Sequence, residues 1–117
     1  MALRMSNNAQ ADVLICFTTC PDDTVATRIA ENLVAKHLAA CVNILPNVRS
    51  VYQWQGKIES ENEVVLIIKT TQMRYRALQS ALTEQHPYEL PELVAVSLSA
   101  GLPAYLDWVV KETGKAS

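Results

Sequence analysis

Ala40-Cys41-Val42-Asn43-Ile44-Leu45 and Val48-Arg49-Ser50-Val51-Tyr52-Gln53-Trp54 read as one strand arm. Lys57-Ile58-Glu59 followed by Glu63 through Thr71 reads as a second, and only Gln55-Gly56 stands between them. A two-residue link carrying glycine suits a tight hairpin turn. Each arm is about 14 residues, roughly 45 Å at about 3.3 Å per residue. A compact globule of this size has a radius of gyration of about 13 Å and a diameter near ~35 Å. A straight hairpin therefore overshoots its own domain, and another copy of the same chain is the simplest cover for the excess. With the turn at Gln55-Gly56, Trp54 opposes Lys57, Tyr52 opposes Glu59 and Ile44 opposes Ile67. Pro46 cannot donate to a ladder, so a break or bulge is expected between Leu45 and Asn47.

Outward from the hairpin the pattern alternates. Asp12 to Thr18 is a short apolar run, read as the first strand. Pro21-Asp22-Asp23-Thr24 is a helix start, with carboxylates at the positive helix end. Val25, Ile29, Leu33, Val34 and Leu38 follow at helical spacing, with His37 beside them as a boundary residue packed at the helix end. After the hairpin, Thr71 is expected to cap a helix carrying Leu78, Ala81, Leu82 and Gln85, which His86-Pro87 ends. Leu93 to Leu98 is a fourth strand. Gly101-Leu102-Pro103 opens a last helix with Tyr105, Leu106, Val109 and Val110 on its apolar side. The order predicts an α+β, ferredoxin-like split β-α-β two-layer sandwich, with a long hairpin between its second and third strands and a C-terminal helix. Helices one and two share one sheet face. Val13-Leu14-Ile15, Val64 to Ile68 and Leu93 to Val96 are apolar at successive positions, which predicts burial of both faces and hence contact between copies.

At 117 residues, 50% hydrophobic and 19% charged, the chain has the composition of one globular domain. Residues 12–113 are read as that domain, with polar tails at 1–11 and 114–117. A net charge of −2 argues against nucleic acid or anionic membrane as a partner, because phosphate binding needs a basic stripe. No apolar run reaches transmembrane length and no signal-peptide pattern opens the chain, so no membrane role is expected. Three cysteines, Cys16, Cys20 and Cys41, form an odd set without C-x-x-C spacing, which predicts a reduced, cytoplasmic protein. Cys16 and Cys41 read as small core residues on strands. Cys20, before Pro21, reads as the thiol best placed for reaction or metal contact.

Ala39-Ala40-Cys41-Val42-Asn43-Ile44, then Val51-Tyr52-Gln53-Trp54-Gln55-Gly56-Lys57-Ile58-Glu59, then Lys69-Thr70-Thr71, and finally His86-Pro87-Tyr88-Glu89 with Pro91-Glu92 resemble the ordered motifs of the CutA1 divalent-cation tolerance family. The likeness runs from about Val13 to Val110. It implies a ferredoxin-like subunit in a tight homotrimer, linked to tolerance of divalent cations, copper especially, and similar in structure to the PII signalling proteins. Copper coordination in bacterial relatives is attributed to positions that correspond to Thr18, Gln85 and His86, of which His86 alone keeps a ligand type. Cys16 shares the strand face of Thr18 and is the substitute thiol. The metal-site expectation is therefore His86 with Cys16 or Cys20, holding Cu²⁺ or another divalent cation. No organic cofactor is expected.

Enzyme signals are weak. There is no G-x-S-x-G, no glycine-rich phosphate loop and no H-x-x-x-H pair, so no catalytic residue is assigned. The richest chemistry lies from His86 to Glu92. Its polar groups either cap backbone atoms of a proline-bounded loop or line an intersubunit pocket with Cys41, Trp54, Lys69, Tyr88 and Glu89. Glu59, Glu61 and Glu63 share one strand face, either as a solvated edge that blocks strand pairing or as a cation attractor. The competing expectation is a PII-like sensor for a small anionic metabolite, with Lys69 as its basic residue.

Overall fold

The structure, a computed structural model, describes residues 12–114; the expected tails lie outside this span except for Gly114. In chain order it forms β1 (Val13–Cys20), α1 (Asp23–Ala35), β2 (Cys41–Trp54), β3 (Lys57–Thr71), a 3-10 turn (Gln72–Arg74), α2 (Tyr75–Gln85), β4 (Val94–Ser97) and α3 (Pro103–Thr113). One antiparallel sheet runs β2-β3-β1-β4, which is the ferredoxin-like order.

Local chemistry sets the boundaries. The Asp22 carboxylate accepts from Val25 N at 2.9 Å and caps α1. At the other end His37 takes φ 59°. Its N–H donates to Val34 O and that of Leu38 donates to Leu33 O, a Schellman closure with histidine where glycine is usual. His37 Nδ1 also contacts Glu112 O at 3.2 Å, so this histidine packs at the helix end as expected. Gln55 at φ 52° and Gly56 at φ 83° both enter the left-handed region, as a type I′ hairpin turn requires.

The register agrees with expectation near the turn and departs from it farther away. Trp54 pairs with Lys57 and Tyr52 with Glu59, but Ile44 pairs with Leu66 instead of Ile67. The ladder shifts between Leu45 and Val48, where Pro46 lacks an N–H and Asn47 sits at φ 63°. One extra β2 residue is absorbed there, and every pair beyond it moves by one. Thr71 also departs from expectation. It precedes the 3-10 turn and makes no side-chain capping bond, and α2 begins only at Tyr75.

The core lies between the sheet and the first two helices. Leu14, Cys16, Leu66 and Ile68 meet Ile29, Leu33, Leu78 and Leu82 there. Each fully buried Leu or Ile contributes about 1.5–3 kcal/mol. Val34, expected on this stripe, is 40% exposed. The opposite face carries Ile15, Phe17, Val65, Ile67, Val94 and Val96. They share it because Ile15 pairs with Val96, and Phe17 with Val94 and Ile67. Among the described residues only one end of that face is covered, where α3 brings Leu106 and Val109 onto Val13. β4 is exposed throughout, so in the single chain its expected two-sided burial is not met. The molecule measures 55 × 28 × 22 Å with a radius of gyration of 15.5 Å, above the ~13 Å of a compact domain this size. The excess is the hairpin: β1 reaches only Val64 of β3, so, among the described residues, positions 57–63 pair with β2 alone.

Candidate functional site

The loop after α2 is tied to the end of β1 at two points. His86 Nε2 lies 2.8 Å from Thr19 O, and Thr18 Oγ1 donates to Glu92 O at 2.6 Å. Pro87 stops the helix and turns the chain. Tyr88 N–H donates to His86 Nδ1 at 3.2 Å, and the two rings stand 4.8 Å apart. Tyr88 is thereby aimed at the hairpin, where its hydroxyl donates to Glu63 Oε2 at 2.6 Å.

Between this loop and the hairpin lies a cleft of about 600 Å³. Tyr52, Trp54 and Tyr88 form aromatic walls, and Glu61, Glu63, Glu89 and Glu92 bring four carboxyl groups to its lining, which includes no lysine or arginine. The Tyr52 hydroxyl donates to Glu61 Oε1 at 2.8 Å, diagonally across the hairpin from its direct partner Glu59. Glu63 is only 7% exposed. Burial, then the Glu63 hydrogen bond, pushes the Tyr88 phenol well above its usual range. The bond to Glu61 raises that of Tyr52 to about 12. Both tyrosines therefore stay neutral donors to carboxylates at physiological pH.

The sequence-derived site residues fall into three places. Trp54, Tyr88 and Glu89 meet in the cleft. Cys41 and Lys69 pair across β2 and β3 on the uncovered face, where the Lys69 ammonium donates to Asn43 Oδ1 and approaches Cys41 Sγ at 3.8 Å. The pocket expected from these five residues is one between subunits; within one chain the loop lies at one end of the sheet and Cys41 at the other. Cys16 and Cys20 lie on the helix-covered face at 0% exposure. Burial raises both thiols to about 11, with Glu63 and Asp22 adding to the effect at Cys20. A thiol must lose its proton to ligate a metal, so the buried end of β1, where Cys20 lies instead of in a loop, disfavours the reactive or metal-touching role read for it. In His86 the Tyr88 N–H fixes Nδ1 as acceptor, which leaves Nε2 as the protonated donor to Thr19 O. Both ring nitrogens are thus engaged. Among the described residues no three histidine, cysteine, aspartate or glutamate side chains converge as a metal-holding group.

Glu61 and Glu63 are the cleft residues that the sequence reading placed least well. Residues 57–63 do form a one-sided edge, as one reading had it, but Glu63 turns into the cleft instead of into solvent. The available signal was the cross-strand diagonal from Tyr52, which brings residue j+2 within reach of a long side chain. The cleft is lined by carboxylates, and Lys69 is tied elsewhere, so its charge opposes the anionic metabolite of the PII-like reading.

The model of the family described as CutA1 divalent ion tolerance protein matches residues 14–112. The chain belongs to the CutA1 family. It is 42% identical over 105 residues to the divalent-cation tolerance protein CutA of Pectobacterium atrosepticum, covering 90% of this chain and 96% of that one. A CutA homolog of Xenopus laevis is 46% identical over 93 residues, 80% of this chain, but the match spans only 62% of the frog protein. The crystal structure of CutA from Xylella fastidiosa superposes with a TM-score of 0.85 at 48% identity, covering 87% of this chain and 98% of that one. The CutA1 family is thus named for tolerance of divalent ions, not for a catalysed reaction.

Proposed function

We propose that this CutA1-family chain acts in divalent-cation tolerance as a non-enzymatic, cytoplasmic homotrimer that binds the ion itself. The observation that carries the assembly is the uncovered sheet face. Ile15, Phe17, Val65, Ile67, Val94 and Val96 lie there with no helix over them among the described residues, and the hairpin projects beyond the four-stranded body. Apolar area of this extent marks an interface. Three copies, as the family resemblance implies, cover that face and give the overhanging hairpins a neighbour. Obligate interfaces of this kind bury more than about 2,000 Å² in total. Light scattering coupled to size exclusion tests the assembly: a mass near three chains at low micromolar concentration is expected, and a monomeric mass overturns it.

The proposed metal donor is His86. To ligate, its ring must give up the bond to Tyr88 N–H or to Thr19 O, each worth about 0.5–1.5 kcal/mol, so Cu²⁺ binding is modest. The carboxylates of Glu61, Glu63, Glu89 and Glu92 raise the local cation concentration beside it. Cys16 and Cys20 contribute little while their thiols stay protonated. Copper titration by calorimetry separates the donors. His86→Ala weakens binding with the trimer intact, and unchanged affinity in that variant excludes the site.

A further inference from the structure

We propose that a cation on His86 is relayed to the β2–β3 hairpin through Tyr88 and Glu63, with the bulge at Pro46-Asn47 as the hinge. The relay rests on the reading of His86 as the metal donor and adds a conformational consequence to binding there.

The hinge is set by boundaries that fall at one level of the sheet. β1 pairs with β3 no farther than Val64. At the same level the β2 ladder breaks, between Leu45, which pairs with Val65, and Val48, which pairs with Glu63. Pro46 has no N–H to give, and Asn47 stands in the left-handed region at φ 63°. Beyond this level the arm from Val48 to Glu63 is a two-stranded ribbon with a bulge at its root. A change in a few backbone angles there swings the ribbon as a unit.

Tyr88 is the tie across that hinge. Glu63 is the first residue of β3 beyond the reach of β1, and its Oε2 accepts from the Tyr88 hydroxyl at 2.6 Å. Among the described residues this is the one side-chain hydrogen bond between the arm and the rest of the subunit, since Arg49–Ser60 and Tyr52–Glu61 both lie within the arm.

His86 in turn places Tyr88. The loop is pinned at both ends, by His86 Nε2 on Thr19 O and by Thr18 Oγ1 on Glu92 O. Between the pins, Tyr88 is held by its N–H on His86 Nδ1 and by the packing of the two rings. With the proton on Nε2, the lone pair open to a cation without proton loss is that of Nδ1. A cation that takes it evicts the Tyr88 N–H and leaves both pins in place. Tyr88 then shifts, its hydroxyl leaves Glu63, and the arm is released at the bulge. In the proposed homotrimer the arm lies against a neighbouring copy, so a cation on one subunit is felt at its contact with the next.

Hydrogen exchange of residues 48–63, read by mass spectrometry on the intact oligomer, tests the relay with Cu²⁺ as the probe and calorimetry in parallel. In the metal-free protein, Tyr88→Phe is expected to speed exchange in the arm by about fivefold to tenfold, the loss of one hydrogen bond to a charged group, while β1 keeps its rate. Saturating Cu²⁺ should have the same effect on the wild type and add nothing in Tyr88→Phe or His86→Ala. Copper that binds by calorimetry but leaves arm exchange unchanged overturns the relay and leaves the metal reading standing. An unchanged arm in Tyr88→Phe, or equal acceleration in β1, overturns it as well. Absence of copper binding is a separate result: it removes the metal reading at His86 and the trigger of the relay with it.

Discussion

The Tyr88 hydroxyl donates to Glu63 Oε2 at 2.6 Å, joining the loop after α2 to the third strand 25 residues earlier in the chain. This bond forms one wall of the cleft and holds the only strongly buried carboxylate that lines it. Removing it with Tyr88→Phe leaves Glu63 buried with one acceptor unmet. Hydrogen bonds to charged groups contribute about 1.5–3 kcal/mol, and half-exposure of the tyrosine places this one at the low end. A loss of about 1–2 kcal/mol is expected in denaturant unfolding at fixed protein concentration. A double-mutant cycle with Glu63→Gln should return a coupling of similar size, whereas strict additivity would show the two groups to be energetically independent.

Alkaline pH should weaken the fold through two buried thiols. Burial raises Cys16 and Cys20 from 9.0 to about 11. The folded chain keeps these protons where the unfolded chain releases them. Their contribution is complete below about pH 9 and is lost as pH rises through about 11. The melting temperature is therefore expected to fall between those values, and the double variant Cys16→Ala/Cys20→Ala should show a shallower fall from a lower starting point. An identical slope in that variant would assign the effect to other groups.

Charge placed on the uncovered face should break the assembly without unfolding the chain. Phe17 and Val96 are on that face, with Val96 49% exposed. An aspartate at either position is tolerated in one subunit, where water reaches it, but is buried without a partner in an oligomer, at a cost of several kcal/mol. Phe17→Asp and Val96→Asp are expected to give monomeric mass with retained secondary structure. A trimeric mass in both would move the interface elsewhere.

Gly56 is held at φ 83°, and no neighbouring atom lies within 4 Å of the point a Cβ would occupy. A substitution there therefore meets backbone strain and no clash. Gly56→Ala is expected to cost about 1 kcal/mol. Gly56→Asn should cost less, because asparagine enters the left-handed region more readily. Thermal unfolding of the two variants measures the difference, and equal losses would mean that the turn tolerates a different type.

What could be read from the chain in advance was what neighbouring residues determine. The hairpin turn, the pairs next to it and the stop at His86-Pro87 depend on two or three adjacent side chains, and these expectations agree with the structure. Ile44 pairs one residue away from its expected partner because the bulge at Pro46-Asn47, itself expected as a break, inserts a residue. Thr71 looked like a cap, but a 3-10 turn intervened. The cleft was half legible. Trp54, Tyr88 and Glu89, which the motifs around the turn and the proline loop single out, line one cleft of the chain. Within one chain Cys41 and Lys69 lie apart from them, because strand register places that pair toward the other end of the sheet. The Tyr52–Glu61 and Tyr88–Glu63 bonds depend on strand diagonals and loop path, which local pattern does not encode.

β1 occupies the middle of the sheet, between β3 and β4, although it is the first strand in the chain. The hairpin that follows it can zip locally as soon as Gln55-Gly56 turns, whereas β1 must wait for partners made 44 or more residues later, as its pairing of Cys20 with Val64 shows. Contacts of such separation form slowly. During synthesis the apolar stretch from Val13 to Phe17 therefore leaves the ribosome with neither edge satisfied. It depends on α1 for shelter until β3 arrives, which makes this strand the vulnerable point of the nascent chain.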